Sequence, residues 1–201
     1  MTATITIGPL QPSHRHQIEQ IVRATGVFSE AEIGVALELF DVSFKGGIGM
    51  GVGMGTESGS APIPIPISHS AVQRSDYEFV GAFDGKQLVG YACFGATPST
   101  DRTYDLYWIA VHPSAQRTGA GAALMSEVEG RLETRRARMV VIETSSRDDY
   151  APTRRFYHKL GYEEAARLRD FYAPGDDRVV LSKRMGSGDP GGNVAVRPLP
   201  A

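Results

Sequence analysis

The sequence predicts a mixed α/β fold, one sheet with helices on both faces. Three observations predict it. Strand-length apolar runs and segments of helical period follow one another as β, α, α, β, β, β, α, β, α, β, β. AspGly at 84 and 85 joins two of these strands as a hairpin. At 108–124, reading WIAVHPSAQRTGAGAAL, a strand passes through a short polar loop and two glycines spaced GxG into an amphipathic helix.

Taken in order, residues 4–10 alternate as a first strand, and Ser13 is placed to cap a helix whose apolar stripe includes Ile18, Ile21 and Val22. A second helix starts at Ser29, where Ser29 and Glu32 have capping-box spacing and Ile33, Leu37 and Phe40 recur at the helical period. From 45 to 69 the chain is glycine-rich, then alternates proline with isoleucine, and reads as a flexible insertion, its PIPIPI run an extended strip. Its GxGxG glycines have no strand before them and no helix after, so they do not make a nucleotide loop. Tyr77 to Phe83, Gln87 to Phe94 and Tyr104 to Val111 are strands. A helix from Gly119 to about Arg138 turns Leu124, Val128 and Leu132 inward and ends in a basic run. A strand at 139–144 follows, then a short helix from Ala151 to Leu160 closed by Gly161, and two strands ending near Met185. One domain over 1–185 and a disordered tail at 186–201 complete the reading.

Charge and cysteine content narrow the function. A net charge of -2, from 21 basic and 23 acidic residues, gives no footprint for nucleic acid or an anionic membrane. One cysteine, Cys93, excludes an internal disulfide framework and a cysteine-rich metal site, and within VGYACFG it reads as a buried core residue. No metal is expected. The first residues lack the basic and apolar regions of a secretory leader, and no stretch is apolar enough to span a bilayer, so a cytoplasmic protein is expected.

The GxG helix start is a design for holding phosphates. The first amides of a helix have no partner within it and point along the axis with the positive end of the dipole, and glycine lets an anion approach. A dinucleotide unit would put its first glycine directly after the strand and a third where Leu124 stands, so its fingerprint is not met.

Gln116, Gly119 and Gly121 match the QxxGxG signature of the GNAT superfamily of acetyl-CoA-dependent N-acetyltransferases, and FYHKLGY at 156–162 matches that family's second mark. The chain resembles this family over roughly residues 4–185. The resemblance implies a mostly antiparallel, twisted sheet splayed between its fourth and fifth strands, acetyl-CoA as cofactor, and a homodimer. It implies that the amides of Arg117, Thr118, Gly119, Ala120, Gly121 and Ala122 hold the pyrophosphate with Gln116. Ile109 and Val111 would border the pantetheine arm. The family usually carries a cofactor-touching asparagine where this chain has Tyr150.

Acyl transfer from a thioester to an amine needs a base, a polarised carbonyl and a proton for the departing thiolate. Asp105 and Glu143 compete for the base role. By period two, Asp105, Tyr107, Ile109 and Val111 share one face, and Asp105 falls where some family members place a catalytic glutamate. Glu143 ends the strand at 139–144, beside the expected splay, where other members use a glutamate. Tyr157 is the candidate acid, since a phenol of pKa about 10 can protonate a thiolate of comparable basicity. Asp170, Phe171 and Tyr172 precede the last turn and are candidates to shape the acceptor site. His112 reads as loop surface, and Arg154 and Arg155 read as solvated helix charge or as phosphate contacts. The expected activity is acetyl transfer to a primary amine by direct attack in a ternary complex. A small-molecule or amino-acid-like amine is the leading acceptor, with a protein amine the other. The alternative is a module that binds or senses acetyl-CoA without turning it over.

Overall fold

The computed structural model describes residues 4–44 and 77–186. The insertion read at 45–69 and the tail from 187 onward lie outside the described residues. The elements are β1 (Ile5–Gly8), α1 (Arg15–Thr25), α2 (Glu30–Phe44), β2 (Tyr77–Asp84), β3 (Gln87–Ala96), β4 (Thr103–Val111), α3 (Ala120–Thr134), β5 (Met139–Ser145), α4 (Ala151–Lys159), β6 (Glu163–Ala173) and β7 (Asp176–Arg184). This is the order the sequence predicts.

Local signals explain most boundaries. Ser29 Oγ accepts from the Glu32 amide at 3.3 Å while Glu32 Oε2 accepts from the Ser29 amide at 2.6 Å, the capping box that starts α2. α1 begins differently from expectation. Pro12–His14 form a 3-10 turn, and His14 Nδ1 accepts from the Gln11 amide at 2.9 Å, so Ser13 lies inside a turn and caps nothing. The β2·β3 hairpin pairs Asp84 with Gln87, leaving Gly85 and Lys86 as its turn, with Gly85 at φ 61. α3 ends at Thr134, short of Arg138, because Arg136 adopts φ 56 and the Arg136 and Ala137 amides donate back to the Glu133 and Leu132 carbonyls. That pair of bonds is a Schellman motif, which satisfies the last carbonyls and stops the helix.

The seven strands form one sheet in the order β1-β2-β3-β4-β5-β7-β6. Among the described strands, β4 and β5 are the one parallel pair. Helices α1 and α2 bury Ile18, Ile21, Val22, Ile33 and Phe40 on one face, against Tyr91, Cys93 and Trp108. α3 buries Leu124, Val128 and Leu132 on the other, against Phe94, Val140, Ile142 and Leu181, with Tyr157 and Tyr162 in the same core. Leu124 and Leu132 are completely buried, and each such side chain contributes about 2–3 kcal/mol relative to exposure. Among the described residues no helix is long and apolar enough to cross a membrane.

Two irregularities in β4 prepare the site. Its pairing with β5 runs only from Thr103↔Met139 to Leu106↔Ile142. Beyond that, β5 follows β7, as Glu143↔Val180 and Ser145↔Arg178, while β4 follows β3 to Val111. The sheet therefore opens as a wedge. Second, β3 pairs Cys93 with Trp108 but Phe94 with Leu106, so Tyr107 is an extra residue, a β-bulge. Tyr104 and Leu106 pack with the α3 core, whereas Tyr107, Trp108 and Ala110 pack with the α1–α2 core, leaving Ile109 and Val111 on the α3 side. This corrects the single face expected for Asp105, Tyr107, Ile109 and Val111. Two consecutive residues point one way at the bulge, so Asp105 and Tyr107 lie opposite Ile109 and Val111.

Candidate active site

The wedge holds a cavity of about 740 Å³. β4 from Leu106 to Val111 forms one wall, and Ile142, Glu143 and Thr144 of β5 form the other. Gln116, Arg117, Gly119, Gly121 and Ala122 close the end at α3, while Phe156 and Tyr157 approach from α4 and Tyr150 from the turn before it. Val27 and Phe28, from the loop between α1 and α2, also line it, and Phe28 packs with the α1–α2 core, so residues from both faces of the sheet border the cavity.

The loop into α3 is shaped for an anion. Arg117 stands at φ 63 and Gly119, the residue ahead of α3, at φ 95, both left-handed, a backbone of the kind from which anion-binding nests are built. For Arg117 that conformation carries strain, of a kind common at ligand-binding loops. Thr118 Oγ1 donates to the Ala115 carbonyl at 2.7 Å, tying the loop together. Ala120 is buried in the α3 core. The side chains of Thr118 and Ala120 thus serve the fold, while the other predicted cofactor contacts, Ile109, Val111, Gln116, Arg117, Gly119, Gly121 and Ala122, line the cavity. A Cβ at Gly121 would meet Phe156 Cζ at 3.4 Å, an ordinary van der Waals contact, so packing against α4 does not by itself require glycine there.

Tyr157 is held by the end of α4. The Gly161 and Tyr162 amides donate to the His158 and Tyr157 carbonyls around Gly161 at φ 85, a second Schellman motif. It folds the Tyr162 ring back to 6.0 Å from that of Tyr157. The GlyTyr of FYHKLGY is therefore the helix stop that orients Tyr157. Tyr157 is 3% exposed, and burial pushes its phenol well above the ordinary range, with nearby Tyr150 adding to the effect.

The two acids lie on the α1–α2 side of the sheet in different environments. Glu143 lines the cavity and pairs with Arg178 of β7. Burial raises its carboxyl above the usual range, the Arg178 guanidinium opposes this, and the charge of Asp105 adds to the rise. Asp105 does not line the cavity; its Oδ2 accepts from Thr97 Oγ1 at 2.8 Å. Its carboxyl is also raised, first by burial, with hydrogen bonds from Thr97 and Tyr107 pulling it down. The cavity can thus bring an amine to Glu143 directly, and to Asp105 only through an intermediary such as water.

The residues before the last turn serve mainly the hairpin and the Arg178 environment. Asp170 accepts from the Gly175 amide at 2.6 Å and does not line the cavity. The Phe171 ring lies 5.0 Å from the Arg178 guanidinium, and Tyr172 is close enough to Glu143 for that charge to raise its phenol, after burial. His112 Nδ1 accepts from the Ser114 amide at 3.3 Å and caps a 3-10 turn. Arg154 donates to the carbonyls of Ser145 and Arg147 at 2.6 and 2.9 Å, pinning the β5–α4 connection. Cys93 is buried, and burial pushes its thiol well up.

Sequence reasoning missed Arg178, Thr144 and Phe28. Arg178 meets Glu143 only through the β5·β7 register, and Thr144 borders the cavity only because β4 leaves β5 two residues earlier. Phe28 carried a signal: an apolar residue immediately before the Ser29 cap, a staple position, whose ring here lies 4.7 Å from that of Trp108, tilted by 33°.

Residues 57–162 match the family model for the acetyltransferase (GNAT) family. Among solved structures, a GNAT-family protein from Desulfovibrio desulfuricans is 33% identical, with a TM-score of 0.74 over 91% of this chain and 100% of that one. The ribosomal-protein-S18-alanine N-acetyltransferase of Escherichia coli has the same fold at 18% identity, with a TM-score of 0.65 over 96% and 99% of the two chains. So does yncA of Salmonella typhimurium, solved with its cofactor acetyl-CoA, at 16% identity and a TM-score of 0.61 over 92% and 95%. Among curated proteins no relative matches. With that family model covering more than half of the chain, and a relative of one third identity spanning nearly all of it, the chain belongs to the GNAT family of acetyltransferases.

Proposed function

We propose that this protein is an acetyl-CoA-dependent N-acetyltransferase that moves the acetyl group to a primary amine by direct attack in a ternary complex. One observation carries the reading: a single cavity joins the amide nest at Arg117 and Gly119 to Tyr157 and Glu143. Acetyl-CoA supplies the activated acetyl group as a thioester. The amides from Arg117 to Ala122, with Gln116, hold its pyrophosphate. The β4 edge beyond Leu106, freed from β5, offers backbone hydrogen bonds to the extended arm past Ile109 and Val111.

An alkyl ammonium of pKa about 10 must lose a proton before it attacks. Glu143 takes that proton directly, or Asp105 takes it through water. The nitrogen lone pair then forms the C–N bond as the C–S bond breaks, Tyr157 gives its proton to the departing sulfur, and the acylated nitrogen sheds its extra proton to the Tyr157 phenolate, directly or through water. Burial that weakens Tyr157 as an acid also makes a thiolate in the same dry cavity more basic, so the two stay matched.

The acceptor is a small-molecule or amino-acid-like amine, entering beside Val27 and Phe28, with Phe171 and Tyr172 shaping the approach through Arg178 and Asp170 fixing their turn; a protein amine is the other candidate. One domain over residues 1–185 carries the activity, in the cytoplasm, where a free thiol such as Cys93 stays reduced. A homodimer is proposed on family resemblance.

Calorimetry with acetyl-CoA and a thiol-release assay across an amine panel test the reading. Binding with amine-dependent thiol release is expected. Binding without release for any amine would favour the sensing module, a reading that the ion pair occupying Glu143 keeps in play. Tyr157→Phe should lower turnover about 100-fold while leaving acetyl-CoA affinity unchanged; an undiminished rate would remove Tyr157 from the mechanism.

A further inference from the structure

Thr144 is 4% exposed and lines the cavity, yet its hydroxyl has no hydrogen-bond partner among the described residues. Its neighbour shows the contrast. Ser145, equally buried, donates to Asp176 Oδ1 at 2.5 Å and accepts from the Arg147 amide at 3.0 Å. Along β5, Thr144 shares a face with Val140 and Ile142 of the α3-side core and pairs with Val179 of β7, a setting in which a valine would fill the same space with no orphaned oxygen. The oxygen itself is closed off in the free protein, as are Tyr91 Oη, Trp108 Nε1 and Arg178 Nε, likewise unpaired among the described residues. A group that enters therefore reaches it by a turn of the Thr144 side chain and takes up an unused hydrogen-bonding capacity there.

Its position indicates what enters. The last β4·β5 pair is Leu106↔Ile142, so Thr144 stands two residues beyond it, at the narrow end of the wedge. The amide nest lies at the wide end, past Val111. From Leu106 to Val111 the strand climbs about 17 Å, so a ligand anchored by its phosphates at the nest presents the far end of an extended arm to Thr144. Resting on the acetyl-CoA reading above, we propose that Thr144 is a donor-binding residue whose hydroxyl donates a hydrogen bond to a carbonyl oxygen at the acyl end of the pantetheine arm.

Three proteins and two ligands test this: wild type, Thr144→Val and Thr144→Ser, each titrated with acetyl-CoA and with adenosine 3′,5′-bisphosphate, which carries phosphates and no arm. Thr144→Val should weaken acetyl-CoA binding about fivefold to tenfold. It should leave the bisphosphate affinity unchanged and should not lower the melting temperature of the free protein, since no bond is lost there. Thr144→Ser should stay close to wild type. Equal acetyl-CoA affinity in Thr144→Val would overturn the proposal, as would an equal loss for both ligands or a fall in the free melting temperature. If wild type binds neither ligand, the acetyl-CoA reading itself fails and takes this contact with it. If wild type binds both and Thr144→Val matches it, only Thr144 is at fault.

Discussion

At the residue scale, the two acids differ in what surrounds them more than in what they are. Glu143 has Arg178 as a counter-ion, whereas Asp105 has hydrogen bonds from Thr97 and Tyr107 and a carboxyl that burial holds above its ordinary value. For an acid raised in the folded state, ionisation costs stability. The contribution is fully present below the unfolded pKa of about 3.9 and is lost as pH rises through the folded value. Asp105→Asn keeps an acceptor for Thr97 and removes the buried charge, so its melting temperature should exceed that of wild type at pH 7, with the gap closing below pH 4. A variant that melts lower at pH 7 would show that the carboxylate is held by attraction rather than penalised by burial. Tyr157 was legible in the sequence because its motif is contiguous: aromatic pair, helix, GlyTyr stop. Arg178 was not, because strand register, invisible in one chain's sequence, brings residues 143 and 178 together.

At the element scale, capping and turn chemistry read true where a single local rule applies, as at Ser29 with Glu32 and in the AspGly hairpin. Alternation in β4 failed because a bulge needs no special residue; no glycine or proline marks it at Tyr107. The start of α3 gives a prediction at this scale. Gly119 sits at φ 95, and a Cβ added there would meet nothing within 4 Å, so Gly119→Ala makes no clash and costs backbone strain alone. That cost should be about 1–2 kcal/mol, read as a lower urea midpoint at unchanged slope. Acetyl-CoA affinity should fall as well, since the same residue turns the nest. An unchanged midpoint would mean that the loop relaxes to another conformation at no cost.

At the scale of the whole molecule, the order of elements and the presence of helices on both faces were legible, since hydrophobic period and turn residues are local. The placement of β7 between β5 and β6 was not, because it is a choice among long-range pairings. Resemblance supplied the splay, and the structure adds that residues of both faces of the sheet border the opening, Phe156 from the α3-side core and Phe28 from the α1–α2 core. The consequence is kinetic. If acetyl-CoA enters on the Phe156 side and the amine on the Phe28 side, as proposed, neither obstructs the other, so neither has to bind first. Product inhibition reports this: free coenzyme A should compete with acetyl-CoA yet act as a noncompetitive inhibitor against the amine, and the acetylated product should show the mirror pattern. A compulsory order, with one substrate sealing the route of the other, would give a different set of intersecting lines.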